Sequence, residues 1–253
     1  MPRFKVGLQL HPQHTSVEAL REAWKRADEL GVDSLWLWDH FFPLYGDRNG
    51  AHFECYTLLA AMAVDTSHAQ LGAMVTGGGY RNPDLLADMA RTIDHLSGGR
   101  FILGIGAGWF ERDYREYGYD FGTRGSRLKL LEESLGRIKR RLGKLNPPPI
   151  GRIPILIGGG GEKITLRLTA QYADMWNTFP PASVYAHKVT VLRDWCAKLG
   201  RNPADIELTI EVRPDQFGEL DDCLEAGAQH LILEVGQPFD LKPLERLLGI
   251  ARK

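Results

Sequence analysis

The chain has 253 residues, 43% hydrophobic and 25% charged, with 31 basic residues against 32 acidic ones. A formal net charge of −1 supplies no field to gather nucleic acid or an anionic membrane surface, so an anionic ligand has to be held by local groups. The length allows one large domain with a sizeable core or two small ones.

Cys55, Cys196 and Cys223 are widely spaced and form no CxxC pair. That pattern argues against a disulfide framework or a zinc site and suits a reducing cytosol. The opening MPRFKVGLQL is too briefly apolar for a signal peptide, and no run approaches the roughly 18 apolar residues of a membrane span. The expectation is a soluble cytoplasmic protein acting on a small molecule, with no nucleic-acid or membrane partner.

In chain order, FKVGLQL (4–10) reads as a strand and 16–31 as a helix capped by Ser16 and stopped by Gly31. SLWLWD (34–39) is the next strand, 52–66 a helix and AQLGAMVT (69–76) a third strand. A helix follows from Pro83, at its first position, to a stop at Gly98. Strand FILGIGAG (101–108) leads into a polar loop over 109–122, then a helix over 126–145 laced with acid–base pairs. Beyond the stiff PPP at 147–149 come strand 155–159, helix 162–173 and the short strand 174–179. The pattern closes with helix 183–199, strand 206–212, helix 216–226, strand 230–236 and helix 240–251.

Eight short, branched, apolar strands, each followed by a helix, match an α/β chain folded as a (β/α)8 TIM barrel. A doubly wound open sheet is the competing architecture, because alternation alone does not force closure. No linker divides the chain, so residues 1–253 read as a single domain.

In such barrels the chemistry gathers at the C-terminal ends of the strands. Strand 2 ends in Asp39 and His40, the latter able to carry a proton near neutral pH and the former able to orient it or anchor a polar cofactor edge. An aspartate cap beside a histidine bonded to backbone is the competing reading. Strand 5 ends in Gly158, Gly159, Gly160 and Gly161, leading straight into a helix near Glu162; close-approaching amides at a helix start suit a phosphate. A compact turn alone would also explain them. The GIGAG at 104–108 lacks a dinucleotide-fingerprint spacing, and His11 and His14 lack a third metal ligand nearby, so no metal is expected. KRR at 139–141 reads as a solvated helix face.

GVDSLWLWDHFFP, LGAMVTGGGYRNPDLLADMARTIDHLSGGRFILGIGAGW, ILIGGGGEKITLRLTAQYADMWN and the opening VGLQL together resemble the luciferase-like superfamily. Within it, DHFF with the tetraglycine resembles the deazaflavin (coenzyme F420)-dependent oxidoreductases. The resemblance implies a hydride transfer between coenzyme F420 and a small organic substrate; an FMN-dependent reductase or monooxygenase on the same barrel is the alternative. It places Asp39 against the polar part of the ring system and His40 beside the hydride-transfer site. Ala73, Met74, Val75 and Thr76 would form a bulge behind the ring, with a cis peptide at Met74–Val75. Gly106, Ala107, Gly108 and Gly158–Gly161 would hold the phosphate and its linker, and Trp38, Phe41, Phe42, Trp109 and Trp176 would wall the pocket. Trp109 stands where the branch that oxidises glucose 6-phosphate has a glutamate, which argues against a sugar phosphate. The resemblance also implies a homodimer through outer helices near the front of the chain.

Overall fold

Each buried strand carries two apolar faces, and both are used. In the computed structural model, which describes residues 2–252, the strands are β1 (Lys5–Leu10), β2 (Ser34–Asp39), β3 (Gln70–Gly77) and β4 (Phe101–Gly106). They continue as β5 (Ile155–Gly158), β6 (Met175–Thr178), β7 (Glu207–Val212) and β8 (His230–Val235). All neighbours pair in parallel, and β8 returns to β1 with Val6 opposite Leu231, so the sheet is a closed barrel rather than an open one. The expected domain limits 1 and 253 lie outside the described residues. No helix among them is long and apolar enough to cross a membrane.

The helices are α1 (Val17–Leu30), α2 (Cys55–Asp65), α3 (Pro83–Ser97), α4 (Glu111–Glu116), α5 (Arg124–Leu142), α6 (Thr165–Tyr172), α7 (Ala182–Leu199), α8 (Leu220–Glu225) and α9 (Lys242–Ala251). Ser16 caps α1 by accepting from the Ala19 amide, and Gly31 ends it at φ 81°. Asn82 caps α3, with Pro83 at its start and Gly98 at φ 68° beyond its end.

Three expected elements differ. The 109–122 loop contains α4, a six-residue helix too short to show a periodicity, held down by buried Asp113 and Tyr114. Residues 162–164 form a turn, so α6 starts at Thr165 instead of directly after the glycines. The segment expected as helix 216–226 begins as a 3-10 turn, Pro214–Glu219, in which Gly218 weakens the α-helical alternative.

Alternation sorts the β2 side chains. Leu35 and Leu37 pack outward in the core shared with the helices, while Trp36 packs inward with Met74, Ile102, Leu156, Met175 and Ile232. Beneath Trp36, its indole N–H donates to Ser34 Oγ at 2.6 Å, and Ser34 Oγ lies 2.9 Å from His230 Nε2. His230 Nδ1 lies 2.8 Å from Glu207 Oε1, and Lys5 Nζ donates to Glu207 Oε2 at 2.6 Å. A serine–histidine–glutamate row is the order of a hydrolytic triad, but Ser34 and His230 are wholly buried at the N-terminal end of the barrel. No substrate reaches that hydroxyl, and the row acts as a polar plug.

Asp39 faces outward with Leu35 and Leu37, which corrects its expected place in the mouth. A strand turns successive side chains to opposite faces, so Asp39 and His40 cannot both point inward. Arg81 donates to both Asp39 oxygens, at 2.5 and 3.1 Å, and to Glu54 Oε1 at 2.5 Å, while its guanidinium lies 4.4 Å from the centre of the Tyr56 ring. Burial pushes the Asp39 carboxyl upward against the pull of Arg81. Burial likewise opposes the charge on Arg81, yet Asp39 holds the guanidinium pKa above its ordinary value.

Arg81→Met strands Asp39 without a cation and should cost about 3–5 kcal/mol in urea unfolding; a loss below about 1 kcal/mol would mean the pair is idle. The plug carries a pH signature. Burial works to raise Glu207, but the hydrogen bond and charge of His230, and then Lys5, bring it down to about 2. Its contribution is therefore complete above the ordinary value of 4.5 and fades as pH falls through about 2. Glu207→Gln is expected to lose about 2–3 kcal/mol at pH 7, with the gap to wild type narrowing below the ordinary carboxylate range. A gap that stays constant down to acid pH would refute this.

Candidate functional site

At the C-terminal end of the strands the barrel opens into a cavity of about 800 Å³. His40 lines it, as do Met74, Val75 and Thr76 from β3. Gly106, Ala107 and Gly108 border it at the end of β4, and Gly158, Gly159, Gly160 and Gly161 at the end of β5. Trp38 and Trp109 wall it as expected. Asp39, Ala73, Trp176, Phe41 and Phe42 do not line it. Ala73 faces the outer core; Trp176 is fully buried, donating to the Gly159 carbonyl at 2.9 Å and stacking on Tyr185. Trp176 thus braces the glycine segment from behind. Phe41 packs into an aromatic group with Tyr80 and Tyr117.

His40 is held by a partner that the sequence reading missed. Its Nδ1 lies 2.7 Å from Asp113 Oδ2, which also accepts from the Tyr80 hydroxyl at 2.7 Å, while Asp113 Oδ1 accepts from the Phe41 amide at 3.1 Å. Asp113 is fully buried and surrounded by donors, so its carboxylate accepts the hydrogen bond that Nδ1–H donates. The remaining nitrogen, Nε2, is then the acceptor left for the cavity. Burial raises the Tyr80 phenol, and its hydrogen bond to Asp113 raises it further, so Tyr80 stays a donor. Nearby, His52 Nε2 accepts from the Trp38 indole at 3.1 Å. Burial, then the neighbouring His40, lower His52 to about 4, leaving it a neutral brace.

The expected bulge is present. The β3–β4 register shifts between Gly72 and Thr76, and the Met74–Val75 peptide is cis. Glycine makes room for it on the next strand: a Cβ on Gly104 would lie 1.9 Å from the Ala73 carbonyl oxygen. Gly108 adopts φ 78°, and a Cβ there would meet the Tyr114 hydroxyl at 2.0 Å.

Charged side chains gather on two sides of the mouth. Arg124 and Arg127, in the first turn of α5, line the cavity beside the glycines. Arg127 is tied to the Gly108 and Phe121 carbonyls, each at 3.0 Å, whereas Arg124 carries no ion pair among the described residues and lies beside Gly161. Two cations at a helix N-terminus oppose the helix dipole, an arrangement an anion would relieve. Across the cavity stand Gln9 and His11 from the β1 end, Glu211 and Arg213 from the β7 end, and Glu234 from β8. His11 stacks on Trp38 with ring centres 4.2 Å apart and bonds the Tyr45 hydroxyl.

The residues missed from sequence had weak signals. Arg124 and Arg127 were legible as cations at the wrong end of a helix. Glu211 and Glu234 were legible as acids at inward positions of apolar strands, and Gln9 likewise as a polar residue in β1. Asp113 had none, since its helix shows no periodicity and its partner lies 73 positions away.

Comparison with known proteins accords with this layout. The profile of the family described as luciferase-like monooxygenase matches residues 3–232. Phthiodiolone/phenolphthiodiolone dimycocerosates ketoreductases of Mycobacterium bovis and Mycobacterium tuberculosis are 30% identical over 242 residues, covering 79% of this chain and 62% of theirs. The chain therefore spans less than two thirds of the length of these relatives. An F420-dependent secondary alcohol dehydrogenase, solved with an F420–acetone adduct, superposes with a TM-score of 0.87 over 99% of both chains at 16% identity. The oxygenating constituent of 3,6-diketocamphane monooxygenase from Pseudomonas putida, solved with FMN, superposes with a TM-score of 0.76 over 100% of this chain and 98% of its own, also at 16% identity. By its sequence match and its closed barrel, this chain is a member of the luciferase-like family of oxidoreductases.

Proposed function

We propose that the protein transfers a hydride between coenzyme F420 and a small organic substrate, with His40 as the proton donor or acceptor. The observation that carries this reading is the His40–Asp113 pair, which presents one imidazole nitrogen to the cavity beside the Met74–Val75 bulge. The ketoreductase relatives and the F420-dependent alcohol dehydrogenase, by their descriptions, support carbonyl–alcohol chemistry. The residues present fit a phosphate-bearing ring cofactor. Gly158 and Gly106 keep space clear next to Val75, where a Cβ would come within 3.0 and 2.9 Å, and Arg124, without an ion pair among the described residues, offers charge to an anion. FMN carries a phosphate too and is the second reading, favoured by the same anion end and by the FMN-bound relative.

A bound deazaflavin supplies the hydride chemistry; the chain supplies position, charge and the proton. Nε2 of neutral His40 takes the hydroxyl proton when an alcohol is oxidised and returns it when a carbonyl is reduced. Asp113 stabilises the imidazolium formed in between, and Tyr80 keeps that carboxylate in place by donating to it. Trp109, ring centre 5.6 Å from His40, and Phe110, at 5.5 Å, shield the imidazole with aromatic surface.

Titration of the purified protein with each cofactor decides the occupant: coenzyme F420 should bind, and tight FMN binding without F420 binding would replace this reading with the second. In the loaded enzyme His40→Ala is expected to lower kcat by about 10²–10⁴, with cofactor affinity nearly unchanged; undiminished turnover would remove His40 as proton carrier. We also propose a homodimer, supported by exposed Val64 on α2 and exposed Leu85 and Leu96 on α3. Light scattering should return twice the chain mass, and a single-chain mass refutes it.

A further inference from the structure

The two carboxyl groups lining the mouth are unequally partnered. Glu234 lies 3.7 Å from Arg213 Nη1 through one oxygen and 3.7 Å from His11 Nε2 through the other. Glu211 is 6% exposed and has no ion-pair partner among the described residues, and the side chains that bear on its carboxyl are Glu234 and Asn177. The register explains the meeting: Glu211 pairs with Ile232 across β7–β8, so Glu234, two residues on, shares its inward face.

Two carboxyl groups on one inward face of neighbouring strands can hydrogen-bond to each other only when one carries a proton. A buried carboxyl without a cation and next to a carboxylate is the member that keeps it. Burial first, then the Glu234 charge, move Glu211 well above the ordinary carboxylate range. Burial works to raise Glu234, yet His11, then Glu211 itself and Arg213, lower it from its ordinary value. The groups facing the pair are Gln9 and His11 from β1, Trp38 and His40 from β2, Asn177 from β6 and Arg213 after β7, with Arg124 and Arg127 across the cavity.

A second observation points to a ligand. Gln9 is 2% exposed, lines the cavity and sits directly opposite Glu234 in the β1–β8 register. Its Nε2 donates to the Met74 carbonyl at 2.9 Å, while its Oε1 has no partner among the described residues. A buried amide oxygen left without a donor is costly unless something in the cavity supplies one.

We propose that Glu211 and Glu234 hold one proton between them and donate it, as a hydrogen bond, to an uncharged carbonyl or hydroxyl oxygen of a ligand. Gln9 Oε1 adds an acceptor beside that donor. A hydroxyl or an amide-type edge therefore satisfies both groups, whereas a carboxylate meets the Glu234 charge and is turned away. This subsite is built from residues other than the His40–Asp113 pair and needs no transfer of the proton. It rests on the proposed hydride-transfer reading only in taking the mouth as the place where cofactor and substrate meet.

Infrared spectroscopy of the full chain at neutral pH tests it first without any ligand. A protonated-carboxyl stretch should be present, vanish in Glu211→Gln, and shift when FMN, coenzyme F420 or cyclohexanol is added. A shift with a cofactor alone identifies a ring oxygen as the occupant; a shift with cyclohexanol alone identifies a substrate oxygen. Absence of the band, its persistence in Glu211→Gln, or indifference to all three probes overturns the proposal. Where cyclohexanol shifts the band, its affinity should fall about tenfold in Glu211→Ala and recover in Glu211→Gln, whose amide still donates. Cyclohexanecarboxylate should bind about tenfold more weakly than cyclohexanol, with the gap closing in Glu234→Gln; equal binding to wild type counts against the subsite. Failure to observe hydride transfer with either cofactor would end the functional reading and leave the ligand-free band untouched.

Discussion

Successive side chains of a β-strand face opposite ways, and in a closed parallel barrel the two faces have different fates. One packs against the helices; the other fills the interior and, at the last turn of each strand, looks into the mouth. Most of the site follows from that constraint. In β2 it sends Ser34, Trp36 and Trp38 inward, with His40 following them into the mouth, and sends Leu35, Leu37 and Asp39 outward. The adjacent acid and imidazole that stand out in the sequence are therefore split between two environments. Asp39 anchors Arg81 among the helices, where burial makes the ion pair a structural obligation. His40 turns to the cavity and takes its orienting carboxylate from Asp113.

The same rule supplies the acidic wall. Glu211 and Glu234 are inward positions of apolar strands, and Gln9 is the inward neighbour of Glu234. Opposite them, the first turn of α5 brings Arg124 and Arg127 to the glycines that follow β5. A chain of almost balanced charge thus places two arginines on one side of the cavity and a carboxyl pair, with Arg213 and His11 beside it, on the other. Overall net charge says nothing of this, because the field inside a low-dielectric cleft depends on placement.

Local support for the site comes from close packing. The bulge of β3 is accommodated because Gly104 offers no Cβ to the Ala73 carbonyl, and Gly108 because Tyr114 occupies the space a side chain would need. Trp176 and Tyr185 stack beneath the glycine segment, and the Ser34–His230–Glu207 row closes the far end of the barrel. Catalytic geometry is more exact when the elements beneath it cannot shift.

The barrel, its element order and the run of mouth glycines were legible in the sequence, because periodicity, caps and stop signals are local properties. His40 was legible too, as an inward residue at a strand end. The pairing of His40 with Asp113 was not, since 73 residues separate them and a six-residue helix carries no pattern of its own. Asp39 was misplaced by adjacency, although the two-residue period already assigned it to the outer face. Residue identity and local period, then, determined the fold and the chemistry available to it. Tertiary closure alone decided which acids meet which bases, because those partners come from strands and helices that only the closed barrel brings within hydrogen-bonding distance.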